Sequence, residues 1–189
     1  MIKLKFSSYA LSPEEEAIVA KVGYQRQLPY LARPDKNRNY SEGDVWEIWQ
    51  HSIAAGAELA FARMCGLNNF VPHVNKFKSE KDVGNYEIRY SFQNRNLRLS
   101  KYDDESSAYF LLIDGLLRKF KRNPDNGWIS EPYRVIGWAT GKEIKERGNL
   151  TKWGSWELPA RFLNQIELNE TPTAELLKST KGEPFRAQD

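Results

Sequence analysis

An uninterrupted apolar stretch, Tyr109-Phe110-Leu111-Leu112-Ile113, is the strongest constraint on the fold of this chain. A strand with one face in water alternates polar and apolar residues, whereas this stretch has no charged position. We therefore predict a strand that is buried on both faces. Alternating patterns predict further strands over residues 86–90, 97–99 and 133–138.

Helical patterns surround these strands. From residue 44 to residue 64, apolar residues recur three and four positions apart, and Gly66 follows as a C-cap. A capping sequence at residues 12–15 predicts an earlier helix that ends at Gly23. A second capping sequence at Thr140 predicts a short helix that ends by Gly148, and another short helix is expected over residues 159–166. Residues 28–39 are interpreted as a loop or irregular arm, and residues 119–131 as a polar excursion.

Composition narrows the possible functions. The chain has 189 residues, which suits a single domain, and 28 Lys and Arg against 25 Asp and Glu give no strong argument for a polyanionic partner. Cys65 is the only cysteine and there are two histidines, which excludes an intrachain disulfide and a zinc site of Cys and His. No apolar run of about 18 residues is present. We expect a cytoplasmic protein without a membrane segment.

The acidic residues around one predicted strand form the candidate site. Asp82 lies in a turn that leads into the strand, where Glu87 and Arg89 must project from the same face. Two carboxylates can hold a hard divalent cation that polarises a phosphate and lowers the pKa of a bound water. A neighbouring cation stabilises the negative charge that develops on phosphorus. This arrangement is the one that a hydrolytic phosphodiesterase requires.

Asp82 followed by Glu87-Ile88-Arg89 resembles the PD-(D/E)XK nuclease superfamily, in which an acid precedes a strand carrying an acid, any residue and a lysine. Glu58, in the predicted long helix, matches the acid that the family supplies from the helix before its sheet. The resemblance covers about residues 41–146. Within the superfamily, the chain is most similar to small members encoded by bacteriophages.

The resemblance implies an α/β fold with a restriction-endonuclease-like core, in which helices flank a mixed central sheet. The single domain 1–189 would comprise an N-terminal helix and arm (1–40), a nuclease-like core (41–148) and a C-terminal extension (149–189). The implied activity is hydrolysis of DNA by a Mg²⁺- or Mn²⁺-dependent deoxyribonuclease, in the host cytoplasm if the protein is phage-encoded. A homo-oligomer is compatible with the sequence.

The resemblance also implies roles for individual residues. Asp82, Glu87 and the backbone carbonyl of Ile88 would bind the metal, and Glu58 would assist or hold a second metal ion. Arg89 would be the electrostatic stabiliser and the fourth catalytic residue. It replaces the family's lysine, and because arginine stays charged it cannot act as a base. The attacking water would then be activated by the metal and a carboxylate.

Two rival interpretations remain, and the arginine in the lysine position supports the first of them. A nuclease-like fold that no longer cuts would serve as a DNA-binding or partner-binding module. A purely structural phage component would show affinity for neither metal nor DNA. Glu58 has its own alternative: its helical neighbours are small and apolar, so it needs a partner, and an internal ion pair with Arg89 without metal would suffice.

Basic and aromatic residues supply candidate DNA contacts. The predicted phosphate contacts are Lys76, Lys78, Arg95, Arg98 and Lys142, the last in the first turn of a helix whose amides also favour anions. Individually, Lys76, Lys78, Arg95 and Arg98 are better explained as ordinary solubilising charge, and only their position around the acids favours a binding role for the group. The tryptophans Trp46, Trp49, Trp153 and Trp156 are interpreted as packing residues, although an exposed one could stack on a base. His73 is interpreted as a loop or strand-edge residue.

Overall fold

The computed structural model describes residues 3–31, 42–74, 80–91, 95–114 and 131–168. Its helices are α1 (Pro13–Leu31), α2 (Glu42–Met64) and α3 (Gly141–Arg147). Its strands are β1 (Lys3–Leu4), β2 (Ser8–Tyr9), β3 (Tyr86–Tyr90), β4 (Asn96–Leu99), β5 (Ala108–Asp114), β6 (Tyr133–Thr140), β7 (Asn149–Leu150), β8 (Trp156–Pro159) and β9 (Glu167–Leu168). Lys76, Lys78, residues 32–39 of the predicted arm and residues 119–130 of the predicted excursion lie outside the described residues.

The main sheet has the strand order β2-β6-β5-β3. Strand β5 is parallel to β3 and antiparallel to β6, so the sheet is mixed, and the predicted α/β class is confirmed. The apolar stretch forms β5, and all five of its side chains are buried. Phe110 and Leu112 join one core, whereas Tyr109, Leu111 and Ile113 join another, which confirms burial on both faces.

Different layers cover the two faces of the main sheet. Helix α2 packs on one face, where Phe61 lies against Phe110 with 4.7 Å between ring centroids, and α1 packs against α2. A small antiparallel sheet, β4-β8-β7, covers the other face together with α3. Leu97 and Leu158 of the small sheet and Ile144 of α3 are fully buried there. Strand β3 is therefore an edge strand between a helical layer and a sheet layer.

Two local predictions in the C-terminal half are wrong. The sequence suggested a hairpin over residues 93–96 after β3; residues 92–94 lie outside the described part of the chain, and β4 pairs with β8 and not with β3. The alternating leucines of β4 join the core that covers β5. The helix expected over residues 159–166 is a single 3-10 turn, Ala160–Phe162. Backbone hydrogen bonds between Trp138 and Asn164 attach the following segment to β6 and prevent further helix.

The predicted caps are confirmed elsewhere. Thr140 and Glu143 form a reciprocal capping box at the start of α3, and that helix ends before Gly148. Gly66 follows α2 with a φ of 82°, the left-handed conformation that favours glycine at a helix C-terminus. Within the part of the chain that the structure describes, no helix is long and apolar enough to span a membrane.

The prediction that the first helix ends at Gly23 is wrong, because α1 continues to Leu31. Gly23 is buried where α1 crosses α2, and a Cβ there would lie 2.5 Å from the Ser52 backbone nitrogen and 2.7 Å from its Cα. The glycine therefore permits close helix packing instead of terminating the helix. One turn further along, this close approach carries Arg26 into the interior.

Gly23→Ala is expected to lower the free energy of unfolding by about 1–3 kcal/mol, because the added methyl group overpacks the helix crossing. Helix propensity alone predicts the opposite sign, a gain of about 1 kcal/mol. Urea denaturation followed by circular dichroism measures the difference. The matched control is Lys21→Ala at an exposed position of the same helix, which should change stability by less than about 0.5 kcal/mol. A Gly23→Ala variant more stable than the parent would contradict this account.

Candidate active site

A tight turn holds Asp82 against the outer edge of β3. Val83 and Tyr86 exchange two backbone hydrogen bonds, and Gly84 between them has a φ of 59°. The chain thus folds back, and Asp82 Oδ2 accepts a 2.7 Å hydrogen bond from the backbone nitrogen of Ile88. Because β3 pairs with β5 on its other side, this amide would otherwise be an unsatisfied edge donor. Asp82 is consequently rigid and almost fully buried.

Glu87 and Arg89 project from the face of β3 opposite to α2. Ile88 belongs to the core shared with α2, whereas the Arg89 guanidinium lies 5.0 Å from the ring centroid of Tyr109 on the other face. The alternation that the sequence predicted for this strand is confirmed. As a result, Glu87 does not lie on the same side of β3 as Glu58 on α2.

Arg89 connects three carboxylates. Its Nη1 atom lies 3.4 Å from Asp82 Oδ2 and 3.3 Å from Glu87 Oε2, and its Nη2 atom lies 3.1 Å from Asp103 Oδ2. Burial acts to lower the pKa of Arg89, but the charges of Asp103, Asp82 and Glu87 raise it above its ordinary value. Arg89 therefore stays a cation and partly neutralises the acidic cluster.

Lys81 is a second cation at this cluster, and the sequence interpretation missed it. Its Nζ atom lies 3.4 Å from Glu87 Oε1 and 3.1 Å from Asp104 Oδ2, and it also hydrogen-bonds the Ser107 hydroxyl. Both oxygens of Glu87 thus have a cationic neighbour. Partial burial acts to lower the pKa of Lys81, but Asp104 and Glu87 raise it, so the ammonium remains charged. The sequence signal that could have identified Lys81 is its position directly before Asp82.

Glu58 pairs with Arg26, so the ion pair with Arg89 that the sequence suggested is wrong. Arg26 Nη1 and Nη2 donate to the two oxygens of Glu58 at 2.8 and 2.7 Å, a bidentate pair with both residues 5% exposed. Arg26 Nε also donates to the His73 carbonyl at 2.8 Å. Burial raises the pKa of Glu58, and the hydrogen bonds from Arg26 oppose that rise. Only the helix crossing at Gly23 brings this arginine to α2.

Glu58 and Asp82 border the same cleft, which has a volume of about 870 Å³. Its lining residues come from α1, α2, β3, β4 and β8 and include Arg26, Glu58, Asp82, Ile88, Arg89 and Arg98. Glu87 does not line it. The structure therefore brings the helical acid and the turn acid together at the cleft and places the strand acid behind them, beside Arg89.

The pKa of Asp82 is raised to about 7. Burial is the main cause and the negative charge of Glu58 is the second; Glu87 adds to the rise, while the Ile88 amide and Arg89 oppose it. A carboxyl with this pKa carries a proton part of the time at neutral pH. Beside burial, the negative charges of Glu58 and Glu87 thus act on Asp82, and such charges favour a bound cation.

The donor atoms have the chemistry that Mg²⁺ and Mn²⁺ prefer, since all are carboxylate or carbonyl oxygens. Within the described residues, the contacts of Asp82 all use Oδ2, which leaves Oδ1 for a ligand. Both oxygens of Glu58 contact Arg26, so Glu58 would have to exchange partners to bind a metal directly. No group of three or more His, Cys, Asp or Glu side chains arranged to hold a metal occurs in the described ranges.

The predicted DNA contacts separate in space. Arg98 lines the cleft, and its Nε atom donates to the Ser155 hydroxyl at 3.0 Å. Lys142 is exposed on α3, where Nζ lies 3.8 Å from Glu146, and it does not line the cleft. Arg95 lies before β4 with a φ of 46°, and its carbonyl accepts a hydrogen bond from the Ala160 amide. Of the predicted DNA contacts that the structure describes, Arg98 is thus the one that lines the cleft with Glu58 and Asp82.

Comparison of the chain with protein-family models, curated proteins and solved structures finds no significant match. The function of the chain is therefore inferred from the geometry of this site and the chemistry of its residues.

Proposed function

We propose that this protein is a nuclease that hydrolyses DNA phosphodiester bonds with Mg²⁺ or Mn²⁺ and has a restriction-endonuclease-like core. The observation that carries the proposal is that Asp82 and Glu58 line the same cleft of about 870 Å³, together with Arg89. Two buried acids and a permanent cation at the edge of a mixed sheet match the needs of phosphodiester hydrolysis. The acid-x-arginine pattern on β3 supports the same function.

Each residue has a separate task in this proposal. Asp82 Oδ1, Glu87 and the Ile88 carbonyl would hold the cation, and the last two would first have to release Arg89 Nη1, which contacts Glu87 Oε2 and the Ile88 carbonyl at 3.3 Å each. When bound, the cation would polarise the phosphate and lower the pKa of a water molecule. Arg89 stabilises the negative charge that develops on the phosphate oxygens, because its guanidinium is charged at every physiological pH. Lys81 keeps Glu87 oriented through the 3.4 Å contact between Nζ and Oε1.

Glu58 acts through its charge in this scheme. Its two oxygens contact Arg26, so it raises the negative potential at Asp82 without needing to bind the metal. Arg26 in turn opposes the rise in the pKa of Glu58 that burial causes, and so favours the charged carboxylate. Arg26 is therefore a positioning residue for Glu58, supplied by a helix outside the region that resembles the nuclease family.

Incubation of the purified protein with linear, single-stranded and branched DNA tests the proposal. Cleavage of at least one substrate is expected with Mn²⁺ or Mg²⁺, and excess EDTA should abolish it. Calorimetric titration with Mn²⁺ on the same preparation should show binding that Asp82→Ala removes. Absence of both cleavage and Mn²⁺ binding would refute the hydrolase assignment.

Mn²⁺ affinity is expected to rise with pH, because a metal competes with the proton that Asp82 holds. With a pKa of about 7 for Asp82, the dissociation constant should fall about tenfold per pH unit up to pH 7 and level off above it. Calorimetry at several pH values between 5.5 and 8.5 measures this trend. The matched variant Glu157→Gln removes a different carboxylate of the cleft and should keep the same profile. An affinity independent of pH would contradict the assignment of Asp82 as ligand.

A non-cleaving module that binds DNA or a protein partner is the second candidate. The observation that favours it is that each of these acids contacts an arginine. Arg26 binds Glu58, and Arg89, which occupies the position where the family has lysine, contacts both Asp82 and Glu87. This module would bind its partner without divalent cations. Mn²⁺ binding that depends on Asp82 and Glu87 would exclude it.

A further inference from the structure

One nitrogen atom of Arg89 contacts all three groups to which the proposed function assigns the metal ion. This atom, Nη1, lies 3.4 Å from Asp82 Oδ2, 3.3 Å from Glu87 Oε2 and 3.3 Å from the carbonyl oxygen of Ile88. The turn before β3 carries Asp82, and the other two oxygens belong to β3 itself. A positively charged N–H group therefore already occupies the position at which these oxygens converge.

The other half of the guanidinium is anchored outside this position. Nη2 donates to Asp103 Oδ2 at 3.1 Å, and the same oxygen accepts a 2.8 Å hydrogen bond from the Ser100 backbone nitrogen, which fixes Asp103 within its own loop. The guanidinium carbon lies 5.0 Å from the ring centroid of Tyr109, a fully buried side chain of β5. Asp103 and Tyr109 have no part in the proposed metal site, so this half of Arg89 can stay in place when a ligand binds to the acids.

We propose that Arg89 is the resident cation of the metal-free site, and that it gives up its Nη1 contacts when a divalent cation binds, while Asp103 retains Nη2. Mg²⁺ lies about 2.1 Å from its oxygen ligands, so an ion at Glu87 Oε2 and the Ile88 carbonyl would meet Nη1 at close range. Two positive groups so near each other repel strongly in a partly buried site. The planar guanidinium has donors on both Nη atoms, and it can therefore release one set of contacts without losing the other.

This inference rests on the proposed nuclease function and specifies how its site is regulated. Without metal, Arg89 neutralises the acids and keeps the site closed. With metal, the released Nη1 can contact a phosphate in the cleft, because Arg89 lines that cleft together with Asp82. The positive charge that stabilises the phosphate thus becomes available only when the metal is bound, and Asp103 is the positioning residue that keeps it at the site.

Calorimetric titration with Mn²⁺ at pH 8 compares the parent protein with Arg89→Ala, in the absence of DNA so that the result does not depend on cleavage. A contact that is closed about nine-tenths of the time raises the apparent dissociation constant about tenfold. Arg89→Ala should therefore bind Mn²⁺ about tenfold more tightly than the parent does. The matched control is Arg98→Ala, which removes the same charge from the same cleft; within the described ranges, Arg98 contacts Ser155 and none of these acids. It should change the dissociation constant by less than about threefold.

Free guanidinium ion separates occupancy of the position from the overall charge of the site. Added to Arg89→Ala at a concentration far below the denaturing range, it should fill the vacated position and weaken Mn²⁺ binding more than the same concentration of sodium chloride does. The parent protein, whose own guanidinium fills that position, should respond equally to the two salts. An equal response in Arg89→Ala, or the same gain of affinity in Arg89→Ala and Arg98→Ala, would assign the effect to overall charge and overturn the inference.

A crystal structure of the parent protein soaked in Mn²⁺ tests the movement directly, without a variant that could fold poorly. Mn²⁺ should lie at Glu87 and the Ile88 carbonyl, with Nη1 withdrawn from both and Nη2 still within hydrogen-bonding distance of Asp103. Bound Mn²⁺ with the Nη1 contacts unchanged would overturn the inference and leave the nuclease proposal intact. Mn²⁺ binding by Arg89→Ala, in a protein whose parent neither binds Mn²⁺ nor cuts DNA, would support Arg89 as the resident cation and refute the nuclease proposal. Absence of Mn²⁺ binding in both proteins would refute both.

Discussion

Asp82→Asn is expected to lower the rate of DNA cleavage by about 100-fold to 1,000-fold, since it removes the anionic oxygen proposed to bind the cation. Asparagine has the same shape as aspartate, and its carbonyl oxygen can still accept the hydrogen bond from the Ile88 amide. The edge of β3 should therefore remain intact. Cleavage of labelled DNA in single-turnover reactions with Mn²⁺ measures the effect. An Asp82→Asn variant that cuts as fast as the parent would refute the assignment.

Stability measurements separate this loss of activity from loss of folding. The pKa of Asp82 is raised in the folded protein, so the folded state holds the proton more tightly than the unfolded chain does. The resulting stabilisation is present below about pH 4 and is lost as the pH rises to about 7. Asparagine mimics the protonated form at every pH, so Asp82→Asn should equal or exceed the parent in stability at pH 8. Urea denaturation at pH 5 and pH 8 checks this sign.

Glu157→Gln is the activity control for Asp82→Asn. It makes the same chemical change in the same cleft, but Glu157 belongs to β8 and to none of the proposed metal contacts. It should retain cleavage within a few-fold of the parent rate. A comparable loss in both variants would indicate that the overall charge of the cleft, and not a ligand at Asp82, controls the reaction.

Arg26→Met is expected to lower the free energy of unfolding by about 3–5 kcal/mol, because it leaves the buried carboxylate of Glu58 without its bidentate partner. The variant also removes the hydrogen bond to the His73 carbonyl. Chemical denaturation at pH 7.5 measures the loss. A change below about 1 kcal/mol would show that the pair contributes little to the folded state.

A double-variant cycle identifies the cause of that loss. Arg26→Met combined with Glu58→Leu replaces the ion pair by apolar side chains and should recover much of the stability, because no uncompensated charge remains. Arg63→Met is the matched control, since Arg63 pairs with Glu15 between α1 and α2 but nearer the surface. Arg63→Met should lower the free energy of unfolding by less than Arg26→Met does. Failure of the double variant to recover would assign the loss to packing and not to charge.

Local patterns were sufficient for most elements of the fold. The stretch at residues 109–113 had to be covered on both sides, and β5 is buried on both faces. Thr140 with Glu143 specified the start of α3 through bonds that span three residues. Alternation likewise placed Glu87 and Arg89 on one face of β3. These predictions succeeded because their causes lie within a few residues along the chain.

Predictions failed where a distant segment determined the outcome. Gly23 was predicted to end the first helix, yet it lies within that helix and contacts Ser52 of α2. The apolar residues of β4 are equally compatible with a hairpin and with pairing to β8, more than fifty residues away. Hydrophobic pattern specifies which face is buried but not which partner buries it.

The sequence alone determined the class of the fold and the acids Glu58, Asp82 and Glu87 as the candidate site. Tertiary structure alone decided that Arg26 meets Glu58 and that Lys81 joins Arg89 at Glu87. The physical reason is that charged side chains interact through space over a few ångströms. The local sequence around an acidic residue does not specify which distant helix or turn will pack beside its side chain in the folded protein.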